Sequence, residues 1–331
     1  YCGPGNDSIY PGKTINLDVQ KVWDRRGKHS VVAGFNWKKE SFNQKRRELT
    51  NWRNHSSFDS TTYPGGLYEI NKGATTNLAL FVQDTYRPNH DWAIYSGLRI
   101  DRFKKFDGQH VTYDQANSRY DTVNHGTGTY TELSPKLAIE YYVTDSLNVY
   151  ASYGHSFNPP PLSQVYRYSD IVKANPNLDP ERSDSFEIGL KKEWNTKTTL
   201  NVSGFYVKTK DKVKYLTYYD NSGNVDYKMY NNVDEESRRG VELEVRHQLS
   251  SKWSVFGNYT WQTGRIKHKE LPNTNASEYA EVNYDIPKHT FHAGVEYTSG
   301  KWNALWDVQY VSRRQSVDDV TGQYGSEDSY F

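Results

Sequence analysis

The sequence predicts an all-β protein, a transmembrane antiparallel β-barrel, on three observations. Apolar residues recur at alternate positions in segment after segment. Many of those segments run to about ten residues, close to the ~9–11 that a strand needs to cross a bilayer at a tilt and longer than the ~5–6 usual in soluble sheets. Short turns alternate strictly with long polar connections, which gives a barrel one tight rim and one looped rim.

Taken in order, about twelve strands are expected near 14–25, 31–40, 75–86, 92–102, 131–142, 147–157, 185–194, 199–209, 236–248, 253–263, 289–297 and 302–312. In "DWAIYSGLRID" the residues Trp92, Ile94, Leu98 and Ile100 share one face while Asp91, Arg99 and Asp101 share the other. The same alternation runs through Leu137, Ile139, Tyr141 and Val143, through Leu147, Val149, Ala151 and Tyr153, and through Phe291, Ala293, Val295 and Tyr297. Helical periodicity is nowhere sustained.

Between the strands, "RGKHS", "RPNHD", "VTDS", "NTKT", "LSSK" and "TSGK" are rich in turn formers. They alternate with long polar connections expected near 41–74, 103–130, 158–184, 210–235, 264–288 and 313–328. A soluble sandwich with Greek-key crossovers has no reason for such alternation. Trp92, Trp194, Trp253 and Trp302 each adjoin a short turn, as a girdle at one membrane interface would place them.

Composition narrows the function classes. The 331 residues carry 41 Lys plus Arg against 40 Asp plus Glu, a net charge of +1 that offers no electrostatic footprint for nucleic acid. A mean hydropathy of −0.92 would suit a soluble or disordered chain. Yet 28 Tyr, 12 Phe and 9 Trp are too many rings for disorder. No run of 18 apolar residues provides a transmembrane helix, whereas barrel strands need apolar residues only at alternate positions. Cys2 is the single cysteine, so neither an internal disulfide nor a cysteine-based metal site is expected.

Signatures of enzymes are missing. The sequence has no G-x-S-x-G, H-E-x-x-H, P-loop or Rossmann fingerprint. The carboxylate pairs Glu235/Glu236 and Asp318/Asp319 fall in expected loops, where adjacent acids are ordinary solvated charges. Neither a catalytic residue nor a metal site is assigned.

Four blocks carry a resemblance. "ALFVQDTYRPNHDWAIYSGLRIDRF" (79–103), "SPKLAIEYYVTDSLNVYASYGHSFNPP" (134–160), "NPNLDPERSDSFEIGLK" (175–191) and "RRGVELEVRHQLSSKWSVFGNYTWQTG" (238–264) resemble successive strand pairs of the TonB-dependent outer-membrane receptors, in the family's order. The resemblance implies a 22-stranded barrel in the Gram-negative outer membrane, an N-terminal plug inside it, and import of a scarce ligand driven by the inner-membrane TonB complex. The chain departs from that pattern in extent, with no readable plug, no TonB box and about half the strands. It therefore reads over 1–331 as a partial barrel domain, with TonB contacted through a region outside it. Outer-membrane lipid and lipopolysaccharide are the further expected partners.

The resemblance also frames the cargo: an iron chelate or haem as transported ligand, with no cofactor of the protein's own. In the family's haem-importing branch, two boxes flank a loop bearing a haem-ligating histidine. Here the first box is degenerate, "FNPPPL" from Phe157 to Leu162, and the second is intact at Asn175 to Leu178. No histidine lies between them. Tyr166 and Tyr168 remain as residues able to ligate ferric iron, and His155, just before the first box, is the alternative haem ligand.

The siderophore reading rests on loop aromatics and cations that bind anionic chelates by stacking and charge. Tyr166, Arg167 and Tyr168 in "VYRYSD" and Arg265 and Lys267 in "RIKHK" are the candidates. A ferric siderophore is the expected cargo. Haem or a corrinoid, or passive passage through a porin-like barrel, are the alternatives.

Overall fold

The computed structural model describes residues 3–25, 27–169, 171–274, 279–282, 286–317 and 324–330. Its strands, in chain order, are β1 (Gly5–Ile9), β2 (Gly12–Arg25), β3 (His29–Leu49), β4 (Leu67–Tyr86), β5 (Trp92–Asp114), β6 (Arg119–His125), β7 (Gly128–Thr144), β8 (Leu147–Asn158), β9 (Val172–Lys173) and β10 (Glu181–Trp194). They continue with β11 (Thr198–Tyr219), β12 (Val225–Gln248), β13 (Trp253–His268), β14 (Tyr279–Val282), β15 (His289–Ser299), β16 (Trp302–Val311), β17 (Arg314–Val317) and β18 (Tyr324–Glu327). One short helix, α1 (Leu162–Tyr166), sits between β8 and β9.

The twelve expected strands are β2, β3, β4, β5, β7, β8, β10, β11, β12, β13, β15 and β16, each antiparallel to the next along one sheet. Each short turn joins sequential neighbours, so the sheet is an up-and-down meander, the connectivity of a barrel wall. β1 prolongs the edge occupied by β2, since both pair with β3. β6 and β7 share β5 in the same way, and β14 and β15 share β13.

Strand alternation gives the sheet two chemically opposite faces. Leu17, Val19, Leu80, Val82, Leu98, Ile100, Phe186, Ile188 and Val308 are large apolar residues left exposed on one of them. Exposure of that much apolar surface at every second position is the lipid-facing pattern, and Trp92, Trp194, Trp253 and Trp302 stand exposed at its short-turn end. The opposite face is polar. There Asp101, only 1% exposed, receives hydrogen bonds from Asn77 Nδ2 and the Arg99 guanidinium, all at 2.7 Å.

The long connections are corrected in one respect. Much of 41–74, 103–130 and 210–235 is strand rather than loop: β3 runs to Leu49, β4 begins at Leu67, β5 reaches Asp114, and β11 and β12 extend to Tyr219 and from Val225. Above the lipid belt neither face needs apolar residues, so the alternation fades while backbone pairing continues. Tyr, Thr and Val remain frequent in these extensions and suit a pleated surface. Parts of the connections near 264–288 and 313–328, including Asp318 and Asp319, lie outside the described residues.

Candidate functional site

Unequal strand heights create the site. β5, β11 and β12 are 23, 22 and 24 residues long, whereas β8 and β10, between them in the sheet, have only 12 and 14. The looped rim therefore has a notch, and the connection of residues 159–180, with α1 and β9, folds into it against the polar face.

On one side the connection is held by β4 and β5. Tyr166 is fully buried, its ring lying over Gly73 and Gly108, where a side chain would overlap it. A register shift between Lys72 and Ala74, opposite Asp107 at φ 56°, brings these two glycines under the ring. Burial, and then the charge of Asp107, push the Tyr166 hydroxyl up to about 12. Tyr168 stacks on His110 at 4.0 Å and 10°, and His125 lies parallel to it at 5.6 Å. Asn71 Nδ2 donates to the Tyr168 carbonyl at 3.2 Å.

The "NPNL" corner is fixed from both walls. Lys105 Nζ, 4% exposed as a residue, donates to the carbonyls of Pro176 and Leu178 at 2.9 and 2.6 Å. Asn175 Nδ2 donates to the Tyr230 carbonyl at 2.8 Å, and the Asp179 amide donates to Asn232 Oδ1 at 2.9 Å. Pro176 and Pro180 restrict the backbone before and within the turn, while Leu178 is wholly buried beneath it. β9 adds a parallel pairing to Lys228 and Met229 of β12.

These contacts separate the sequence candidates. Arg167 is exposed, with its guanidinium 5.6 Å from the centre of the Tyr10 ring, and its charge also acts on Tyr215. Tyr215 lies 4.8 Å from Tyr230, and Lys228 Nζ stands 5.7 Å over the Tyr215 ring. Tyr10 and Tyr215 are themselves exposed. The β1–β2 junction, the helical connection and the β11–β12 hairpin thus bring aromatic faces and cations together, a combination suited to a planar or aromatic anion. Tyr166 instead acts as a packing anchor, and Tyr168 is half-buried against the histidines.

His155, Arg265 and Lys267 are corrected in position. His155 accompanies Asp184 at 2.8 Å and Tyr153, on the face that carries exposed Phe186 and Ile188. Register places Lys267 opposite Glu235 and Arg265 opposite Ser237, in alternation with Val241 and Leu243, again on the apolar side. None of the three reaches the notch. Sequence reasoning missed Tyr10, Tyr215, Lys228 and Tyr230 because three of them lie in an expected loop and Tyr10 is far away in the chain. The tyrosine density of "KYLTYY" and "DYKMY" was the available signal.

Protonation opposes docking of this connection. Burial lowers the pKa of both His110 and His125, with Glu69, 3.6 Å from His110, acting the other way on that residue. Once undocked, the rings regain a value near the ordinary ~6.5, so below that pH the undocked state binds more protons. Docking is therefore complete above about pH 6.5 and weakens as pH falls. Hydrogen exchange across residues 159–169 and 171–180, corrected for intrinsic rate, should quicken on acidification in the whole protein and lose that dependence in a His110→Phe/His125→Phe variant.

Comparison with known proteins follows the same outline. Residues 4–331 match the family model described as TonB dependent receptor-like, beta-barrel. The chain is 23% identical over 289 residues to the catecholate siderophore receptor Fiu of Escherichia coli K12, covering 80% of this chain and 33% of that protein. It is 24% identical over 322 residues to the heme/hemopexin utilization protein C of Haemophilus influenzae, covering 88% and 43%. The crystal structure of the ferric-catecholate import receptor Fiu from E. coli K12, in a closed form, superposes with a TM-score of 0.65 at 18% identity, over 98% of this chain and 47% of that one. The chain spans about a third to under half the length of these curated relatives.

Proposed function

Because this chain belongs to the TonB-dependent receptors, matching their β-barrel across 4–331, we propose that the whole protein imports a ferric siderophore through the outer membrane of a Gram-negative bacterium. The family is made up of transport receptors rather than enzymes, which supports energised import over the passive-porin reading. In this proposal residues 1–331 supply part of the barrel, TonB engages a region outside them, and the chelate is cargo rather than cofactor.

The observation that carries the ligand class is Arg167, exposed over the Tyr10 ring with its charge reaching Tyr215, and Lys228 over the Tyr215 ring. Catecholate chelates present flat rings and net negative charge, and this arrangement offers both ring faces and cations. The absence of histidine between Phe157 and Leu178, with His155 on the apolar face, supports an iron chelate over haem. The similarity to a catecholate siderophore receptor supports the same reading.

Titration of the purified whole protein with a ferric catecholate, haem and a corrinoid tests it. The ferric catecholate is expected to bind at least about tenfold tighter than either competitor, a difference of ~1.4 kcal/mol. Tightest binding of haem or corrinoid overturns the assignment, and chelate uptake that persists without TonB overturns the transport mechanism.

A further inference from the structure

The short-turn rim carries cations that the import proposal does not use. Its six turns, 26–28, 87–91, 145–146, 195–197, 249–252 and 300–301, hold six Lys or Arg against two Asp, although the whole chain is close to neutral. Lys28, Lys197, Lys252 and Lys301 occupy one equivalent position, the residue immediately before the second strand of the hairpin. Asp91 and Ser146 take that position in the other two turns.

Neighbouring hairpins fix this position. The carbonyls of Lys28, Lys197 and Lys252 accept backbone hydrogen bonds of 2.8 Å from Arg87, Gln248 and Thr298, each on the next hairpin along the wall. Lys197, Lys252 and Lys301 belong to three consecutive hairpins, so they recur at steps of about 10 Å, two strands at ~4.8 Å each. Each lies past the last paired row of its hairpin, Trp194 with Thr198, Gln248 with Ser254 and Ser299 with Trp302. The girdle tryptophans stand at or beside those rows, so the lysines crown the wall beyond the lipid belt instead of lining its outer face. All three are exposed, and neither they nor Lys28 and Arg87 form an ion pair among the described residues. Of the acids close in sequence, Glu193 and Glu296 alternate onto the polar inner face, where Arg246 engages Glu296. A row of like charges held in place by backbone bonds repels itself until an anion lies along it.

We propose that the short-turn rim grips the anionic polymer of the cell wall, peptidoglycan, with Lys197, Lys252 and Lys301 on the carboxylates of its stem peptides and Lys28 and Arg87 extending the contact around the rim. A polymer that repeats its carboxylates along a strand matches cations fixed at a regular step. A lipid phosphate would instead call for cations on the outer face, next to surface that an acyl chain can cover. The inference rests on the import reading only for the side of the membrane that this rim faces, since neither the chelate nor TonB enters it.

Co-sedimentation of the purified whole protein, in detergent, with isolated peptidoglycan sacculi tests this. A Lys197→Gln/Lys252→Gln/Lys301→Gln variant should bind sacculi about thirtyfold more weakly, near threefold per lysine. A Lys13→Gln/Lys39→Gln/Lys72→Gln variant, with the same loss of charge in the looped half of the wall, should match the wild type. Sacculi whose carboxylates have been amidated should bind the wild type as weakly as intact sacculi bind the rim variant. Equal sedimentation of the rim variant and the wild type, equal weakening in both triple variants, or undiminished binding to amidated sacculi would each overturn the proposal. A rim variant that sediments normally but loses phosphatidylglycerol in native mass spectrometry would overturn it too, and would mark the rim as a headgroup contact. Fractionation of the protein outside the outer membrane would sink the import reading instead. Heat-modifiable migration on gels confirms that both variants keep the folded barrel, as exposed or half-exposed substitutions should allow.

Discussion

Gly108→Val is expected to release the connection of residues 159–180 while leaving the barrel wall folded. Gly108 and Gly73 form the floor beneath Tyr166, and a Cβ at either position would fall inside the ring. Tyr166 has no exposed surface and no space into which to retreat, so the added methyl groups meet packed atoms rather than a flexible end. Overpacking of this kind costs about 1–3 kcal/mol, enough to shift docking of a single connection by tenfold or more. The wall itself is paired by backbone hydrogen bonds along β4 and β5 and does not depend on that ring. Limited proteolysis between Ser163 and Lys173 should become at least about tenfold faster, with heat-modifiable migration unchanged. Equal protection in Gly108→Val and wild type would show that Tyr166 is not the anchor.

Arg167→Ala is expected to weaken ferric-chelate binding by about thirtyfold or more, the ~2 kcal/mol typical of a central arginine in a recognition site. Arg167 points away from the packed side of its connection, so its removal should not disturb docking. Arg167→Lys should restore only part of the affinity, because an ammonium lacks the planar guanidinium that lies over the Tyr10 ring. Isothermal titration of the whole protein measures both variants. Affinity unchanged in Arg167→Ala would remove the notch from the binding site, and full rescue by lysine would reduce its role to simple charge.

The lower barrel was legible because lipid imposes a rule on every second residue. Leu78, Leu80 and Val82 or Phe186 and Ile188 announce their face wherever they occur, and all twelve strands of the meander carry that mark. The rule lapses above the membrane, so the tall hairpins holding Tyr215 and Tyr230 were read as loop. Recognition residues suffered most, since chain proximity placed Tyr166, Arg167 and Tyr168 together while packing gives them three different environments. Alternation counted outward from Tyr259 and Trp261 along the same strand would have put Arg265 and Lys267 on the outer face. No local pattern links Tyr10 to Arg167; only the register of β1 and β2 on β3 does so.

The corner at Asn175 to Pro180 has a bearing on the order in which the rim assembles. Its hydrogen bonds join residues 71 and 73 positions apart on the Lys105 side and 55 and 56 apart on the Asn175 side. The first set needs β5 and the second needs β12, so the corner is complete only when both strands stand in the wall, and closing such long chain segments is entropically slow compared with zipping a hairpin. The connection is thus the last piece laid on this part of the rim and the first that can lift without parting a pair of long strands. The wall would keep its shape through each cycle of capture and release, with the rearrangement confined to a segment that was added after everything beneath it.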